Sequence, residues 1–303
     1  MQSASRSMGV TYQTMKAGDV EVFYREAGDK DAPVILLLHG FPTASHMFRE
    51  LIPLLAGDYR VIAPDLPGFG NTMAPPRGEF AYTFDNLAQV VLDFIEAMRL
   101  DRYSLYVFDY GAPVGYRVAL AKPEKVTAII SQNGNAYVEG FSDAWEPWQS
   151  YWREPTAEHR EACPASLSPD VIRQWQYFNG ADPDRVSPDG YTLDIAYIAR
   201  DGAEEIQLDL ILDYRNNVAL YPSFQTYFRD WQPPFLAAWG KNDAHFLPAG
   251  AFAYRRDLPN AEVHLLDTGH FALETHAREI ASLMLEFLAK TNVAGGPCPG
   301  ASA

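Results

Sequence analysis

Cysteine is scarce in this chain: two among 303 residues, Cys163 and Cys298, too few for a disulfide framework. No cysteine–histidine cluster has metal-ligand spacing, and no glycine-rich phosphate loop appears, so neither a metal nor an organic cofactor is expected. Basic charge is in deficit, with 24 Lys and Arg against 39 Asp and Glu and a net charge of −15. An acidic surface argues against nucleic acid and anionic membranes as partners. No apolar run is long enough to span a bilayer. Residues 1–9 are polar and lack the apolar core of an export signal, which makes the cytoplasm the expected location. Internal repeats are missing, and low complexity is confined to residues 294–303.

Hydrophobic and aromatic residues are plentiful, at 48% and 13%. A chain of this length and composition can bury a sizeable core as one large domain, or as a domain carrying an insertion. The run Leu105-Tyr106-Val107-Phe108-Asp109-Tyr110-Gly111-Ala112-Pro113-Val114-Gly115 is the organising stretch. Four apolar residues lead into an aspartate, and a small-residue turn then opens a helical pattern. That is the shape of a nucleophile elbow, which pushes one side chain out at the top of an α/β sheet. Asp109 holds the nucleophile position and Gly111 the last small position. An aspartate there cannot do serine chemistry, but it can attack an sp3 carbon to form an alkyl ester. The competing local reading is a helix N-cap.

Along the chain, 20–25 reads as an early strand and Val34-Ile35-Leu36-Leu37-Leu38 as a strand buried on both faces of a parallel sheet. A helix is expected over 45–56, a strand over 59–63, a helix over 84–99 and a buried strand over 126–131. From 134 to 232 the alternation stops. That segment is rich in Trp, Tyr, Pro and Asp, with helical stretches at 143–152, 169–178 and 204–218. Alternation resumes with a strand at 235–239, a helix at 249–256, a strand at 262–266 and a helix at 272–289. The expectation is an α/β core in two parts, 10–133 and 233–292, with a helical lid at 134–232 and a disordered tail at 293–303.

Three further signals sit at strand ends. His39-Gly40-Phe41-Pro42 follows a core strand, where Phe41 and Tyr110 would lend backbone N–H groups to an oxyanion hole. Asp243, in Trp239-Gly240-Lys241-Asn242-Asp243, sits where an acid can orient a histidine. His270, in Asp267-Thr268-Gly269-His270-Phe271, is the expected general base, with His245 as its rival. The order nucleophile, acid, histidine is that of a hydrolase triad.

From about 20 to 290 the chain resembles the α/β-hydrolase superfamily, specifically its epoxide hydrolase and dehalogenase branch. The resemblance rests on LLLHGFP, VIAPDLPGFG, VFDYGAPVG, AWGKND and DTGHF. It implies a mostly parallel twisted sheet with helices on both faces and an inserted helical lid. It implies that Asp109 attacks carbon and that His270 with Asp243 activates water against the ester. Relatives often carry His-Asp-Trp at the elbow, where this chain has Phe108-Asp109-Tyr110.

Tyr214-Arg215-Asn216-Asn217 resembles the Tyr-Arg-x-Asn stretch of epoxide hydrolase lids, whose tyrosine protonates the epoxide oxygen. Tyr151 is the expected second tyrosine, with Tyr177 and Tyr137 as rivals. His39 and Trp152 are expected in the substrate pocket. Epoxide opening to a diol is the leading expectation. A haloalkane or haloacid dehalogenase using the same triad is the alternative, in which Tyr151, Trp152 and Tyr214 would surround the halide. Tyr110 and Pro113 stand where fluoroacetate-type enzymes carry arginines, which argues against a small anionic acid. A silent ligand-binding hydrolase fold is a third reading. The aromatic lid points to an apolar or aromatic small substrate. The sequence fixes neither the substrate nor its stereochemistry, and it leaves a homodimer open.

Overall fold

The computed structural model describes residues 9–291. The polar start up to residue 8, Cys298 and the low-complexity tail lie outside the described residues. Eight strands form one sheet: β1 (Thr11–Ala17), β2 (Val20–Ala27), β3 (Val34–Leu38), β4 (Arg60–Pro64), β5 (Tyr103–Phe108), β6 (Val126–Gln132), β7 (Phe235–Gly240) and β8 (Glu262–Leu266). Their order is β1-β2-β4-β3-β5-β6-β7-β8. The two contacts that β2 makes, with β1 and with β4, are antiparallel, and all later pairings are parallel. The apolar strand runs are explained by burial on both faces. Along β5, Leu105 and Val107 join one hydrophobic cluster while Tyr106 and Phe108 join the other; β3 divides Leu36 and Leu38 from Ile35 and Leu37 in the same way.

Several element limits differ from the sequence reading. β1 was not foreseen: its residues are mostly exposed, so no buried alternation marks it. The helix expected over 45–56 is broken into a 3₁₀ turn, Ser45–Phe48, and the short helix Leu51–Leu55. Between β6 and β7 the described chain is helical and irregular, with Glu146–Arg153, the π-wound segment Ile172–Phe178, Pro188–Ile198 and the long helix Ala203–Trp231. The last was expected to stop at 218. It runs on to Trp231 with Pro222 inside it.

This helical insertion is tied to the core by specific bonds. Asp213 Oδ2 accepts from the Phe84 N–H at 2.8 Å, at the start of the core helix Phe84–Ala97. Arg117, on the core helix Gly111–Ala121, donates to Asn217 Oδ1 at 2.7 Å in a buried setting. Among the described residues no helix is long and apolar enough to cross a membrane.

Candidate active site

The site gathers at the carboxyl ends of β3, β5, β6, β7 and β8, the end of an open α/β sheet where crevices form. Asp109 follows β5 directly and has φ of +47°, the left-handed region that non-glycine residues seldom adopt. The turn that holds it is packed to the limit. A Cβ on Gly111 would lie 2.2 Å from the Leu38 carbonyl oxygen, and one on Gly40 would lie 2.3 Å from Asp109 Oδ1. Glycine at these two positions is therefore a packing requirement. The N-cap reading of Asp109 does not describe the geometry, because the N-cap residue of the following helix is Tyr110.

The Asp109 carboxylate is buried, and its two oxygens have different surroundings. Oδ1 accepts from the Phe41 N–H at 2.6 Å, and the Tyr110 N–H also bonds to the carboxylate. Oδ2 lies 3.9 Å from His270 Nε2, too far for a hydrogen bond. Burial raises the Asp109 pKa above the ordinary carboxylate value, and His270 and the two N–H groups only partly oppose it.

His270 Nδ1 lies 2.7 Å from Asp243 Oδ2, and both side chains are almost fully buried. Donation from Nδ1–H to the carboxylate leaves the Nε2 lone pair facing Asp109. Burial lowers the His270 pKa, but the charge and hydrogen bond of Asp243, with the charge of Asp109, outweigh it, so the net shift is upward. Asp243 moves the other way. Burial raises it, yet His270 and His245 hold its carboxyl well below the usual range.

Asp243 is itself fixed by a residue the sequence reading missed. Asn133 donates from Nδ2 to Asp243 Oδ2 at 2.7 Å, while its Oδ1 accepts from the Gly240 N–H at 2.9 Å. It sits just past β6 with φ of +44°. An asparagine closing a core strand was the available signal. His245 shares the same acid: its backbone N–H donates to Asp243 Oδ1 at 2.7 Å, and its ring Nδ1 is 3.6 Å away. Of the two rivals, only His270 is bonded through its ring to Asp243 and faces Asp109.

A cavity of about 60 Å³ opens onto Asp109 and His270. Its other walls include Phe41, Trp145, Trp148, Gln176 and His245. The expected pocket residues are placed differently. His39 is buried behind the Phe41 turn. Its Nε2 accepts from the Leu66 N–H at 2.9 Å and its Nδ1 lies 3.0 Å from the Gly40 carbonyl, so it braces the turn and does not line the cavity. Trp152 is half-buried, lines an outer groove with Arg153 and Arg215, and donates its indole N–H to the Ile211 carbonyl.

Tyr151 also departs from expectation. Its side chain lies beside Arg160, Cys163 and Asp209, away from the cavity. The rivals are engaged as well: Tyr137 donates to Asp257 at 2.8 Å, and Tyr177 donates to Asp194. Tyr214 is buried among Tyr110, Trp145 and Trp152. Its hydroxyl sits beside that of Tyr221 without a well-formed hydrogen bond, and burial first, then Tyr221 and Asp109, push its pKa well up.

The tryptophans separate by what their indole N–H groups do. Trp145 and Trp239 donate to the His245 and Phe246 carbonyls at 3.0 and 2.8 Å. Trp148, in the cavity wall, has no hydrogen-bond partner for its N–H among the described residues. The arrangement offers a carboxylate, a histidine oriented by an acid, two backbone donors to the carboxylate and, in the cavity wall, an indole without a protein acceptor. Among the described residues, no group of three or more His, Cys, Asp or Glu could hold a metal ion.

The family model of the α/β-hydrolase fold matches residues 33–277. An uncharacterized hydrolase of Saccharomyces cerevisiae is 48% identical over 277 residues, spanning 89% of this chain and 94% of that protein. Haloalkane dehalogenases from several bacteria are also similar; that of Psychrobacter cryohalolentis is 25% identical over 287 residues, 89% of this chain and 88% of its own. Among solved structures, the epoxide hydrolase CorEH shares the fold at a TM-score of 0.77 and 18% identity, covering 93% of this chain and 99% of its own.

Proposed function

The chain belongs to the α/β-hydrolase fold family, in the branch that haloalkane dehalogenases and epoxide hydrolases share, and from that premise we propose that it hydrolyses the carbon–halogen bond of a small haloalkane through an ester on Asp109. The observation that carries this reading is Trp148. A departing halide takes no proton and needs only N–H or O–H donors. Trp148 lines the same cavity as Asp109, and an indole N–H with no protein acceptor among the described residues is a donor of that kind. The similarity to haloalkane dehalogenases supports the same choice over epoxide opening, which the sequence put first.

Asp109 Oδ2 attacks the sp3 carbon as the carbon–halogen bond breaks, and the halide leaves with the electron pair toward the Trp148 N–H. Ester formation places the Oδ1 carbonyl against the Phe41 and Tyr110 N–H groups, where an oxyanion is stabilised. His270 Nε2 takes a proton from water, which adds to Cγ of the ester. Asp243 stabilises the imidazolium that forms. Collapse expels the alcohol, protonated by His270, and leaves Asp109 as the carboxylic acid, which ionises, gives its proton to solvent and regenerates the carboxylate. The sum is haloalkane plus water giving alcohol, halide and a proton.

A second reading, epoxide opening, is favoured by Tyr214, whose buried hydroxyl lacks a well-formed bond and lies within the electrostatic reach of Asp109. A panel of haloalkanes and terminal epoxides, scored separately for released halide and for diol, tests the two together. Halide release faster than any diol formation is the expected result; the opposite ranking overturns the first reading in favour of the second.

A further inference from the structure

Gln176 is 6% exposed, lines the cavity that holds Asp109 and His270, and its Oε1 makes no hydrogen bond to the protein. Buried amides are almost always paired, and an unpaired one is costly. The backbone that carries it is also anchored. It lies on the π-wound segment Ile172–Phe178, a winding often found at functional sites. Its neighbour Tyr177 donates to the buried Asp194 and stacks on Phe271, with ring centroids 4.1 Å apart. Phe271 adjoins His270, so the segment is locked to the same loop that carries the histidine. With Tyr177 fixed, the backbone at Gln176 is anchored beside the cavity that its side chain lines.

From this geometry we propose that Gln176 determines specificity, and that the substrate carries a hydroxyl one or two carbons from the reacting carbon. This rests on the ester mechanism at Asp109. A hydroxyl is both donor and acceptor, so it pairs with the amide whichever end faces it. A cavity of about 60 Å³ is far smaller than the roughly 150 Å³ that houses a benzene ring. It favours short molecules over the aromatic substrates that the lid composition suggested. Phe41, Ala144, Trp145 and Val171 supply apolar wall; of the polar groups beside them, His245 is turned toward Asp243 at 3.6 Å, which leaves the Gln176 amide to anchor a substrate hydroxyl. The class is therefore a short halo-alcohol, or its epoxide counterpart with a hydroxymethyl group.

The test uses two matched pairs that differ by hydroxyl against methyl: 2-bromoethanol with 1-bromopropane, and glycidol with 1,2-epoxybutane. Wild-type kcat/KM should favour the hydroxylated member of the productive pair by about tenfold or more, because a site built to bond a hydroxyl discriminates against its absence. Gln176→Met keeps the length without the amide and should collapse that preference to near unity; Gln176→Leu should do the same, with near-ultraviolet circular dichroism establishing that both variants are folded. Turnover of either pair with no hydroxyl preference, or a preference unchanged in both folded variants, overturns the role of Gln176 and leaves the ester mechanism standing. Absence of an Asp109 adduct from all four compounds in His270→Gln, read by intact mass, overturns both.

Discussion

The Phe41 N–H sits 2.6 Å from Asp109 Oδ1, so one oxygen of the attacking carboxylate already occupies the place where an oxyanion would form. That fixes which oxygen is free. Oδ2 faces His270 at 3.9 Å, outside hydrogen-bond range, so its lone pairs are not engaged by the base before attack. The Tyr110 N–H supplies a second donor to the same carboxylate. Both donors are backbone groups on turns that Gly40 and Gly111 allow to approach, and neither can be removed by changing a side chain.

The covalent step is the first to test. Asp109→Asn should abolish steady-state turnover, because a neutral amide is a poor nucleophile. His270→Gln should still be alkylated and then stall, since ester formation does not use the base. Intact-mass analysis of His270→Gln after adding a substrate of the wild type should show the alkyl adduct, whose peptide maps to Asp109. An unmodified His270→Gln protein would remove the two-step mechanism.

Asn133 gives a prediction about the second step. It donates to the same Asp243 oxygen that receives His270. Asn133→Ala removes a hydrogen bond to a buried charge, typically worth about 1.5–3 kcal/mol, and frees Asp243 to turn. Ester hydrolysis should slow by about ten- to a hundredfold, while ester formation changes less. Rapid-quench kinetics separate the two rates; equal losses in both would argue against a role confined to the water step.

The elbow, the Phe41 turn and the order Asp109, Asp243, His270 were legible because each is punctuated by glycine at the end of an apolar strand. Those signals are local. Asn133 was not legible as a partner of Asp243, because the bond joins residues 110 positions apart. The helical lid was legible, but the placement of its side chains was not, for a different reason. Helix Glu146–Arg153 and the turn before it carry Trp145, Trp148, Tyr151 and Trp152 on one stripe, and the stripe does not say which of its members face the cavity and which pack against neighbouring lid segments. Tyr151 fell on the side of Arg160, and Trp148, one turn earlier, reached the cavity. Tyr214 was found through its flanking motif, whereas its burial among other rings came only with the fold.

The pH dependence follows from the upward shift of His270. The base works neutral, so activity should rise with pH along a limb centred above the ordinary histidine value of about 6.5. Asp243→Asn removes the charge that holds the imidazolium. Burial, which lowers the pKa, then dominates, so the limb should move to lower pH while the plateau falls. The same shift has a stability consequence of opposite direction. A raised histidine contributes stability that is full below its unfolded pKa and is lost as pH rises through the folded one. The depressed Asp243 contributes above its unfolded value and loses that contribution as pH falls through its folded pKa. The pH profile of the ester-hydrolysis rate of both proteins, read by single turnover, checks the first claim, and an unshifted limb in Asp243→Asn would separate Asp243 from the base.

The last prediction separates the two chemistries by their donors. Trp148→Phe keeps a ring in the cavity wall and deletes the free N–H. Tyr214→Phe keeps the aromatic cluster and deletes a hydroxyl that burial holds protonated across any working pH. A halide leaves as a weak base and gains from hydrogen bonding alone. An epoxide leaves a basic alkoxide, which gains from a group able to surrender a proton. If halide displacement is the reaction, Trp148→Phe should slow ester formation by about ten- to a hundredfold, and more for a chloride than for the matching bromide, because the poorer leaving group depends more on its donor. Tyr214→Phe should then matter little for halide release. If epoxide opening is the reaction, the order reverses, and Tyr214→Phe should lower diol formation by about ten- to a thousandfold with Trp148→Phe nearly silent. Single-turnover alkylation of each variant in the His270→Gln background reads the first step without interference from the second. A Trp148→Phe protein that is alkylated by chlorides at the unaltered rate would remove Trp148 as the halide donor, and with it the observation on which the dehalogenase reading stands.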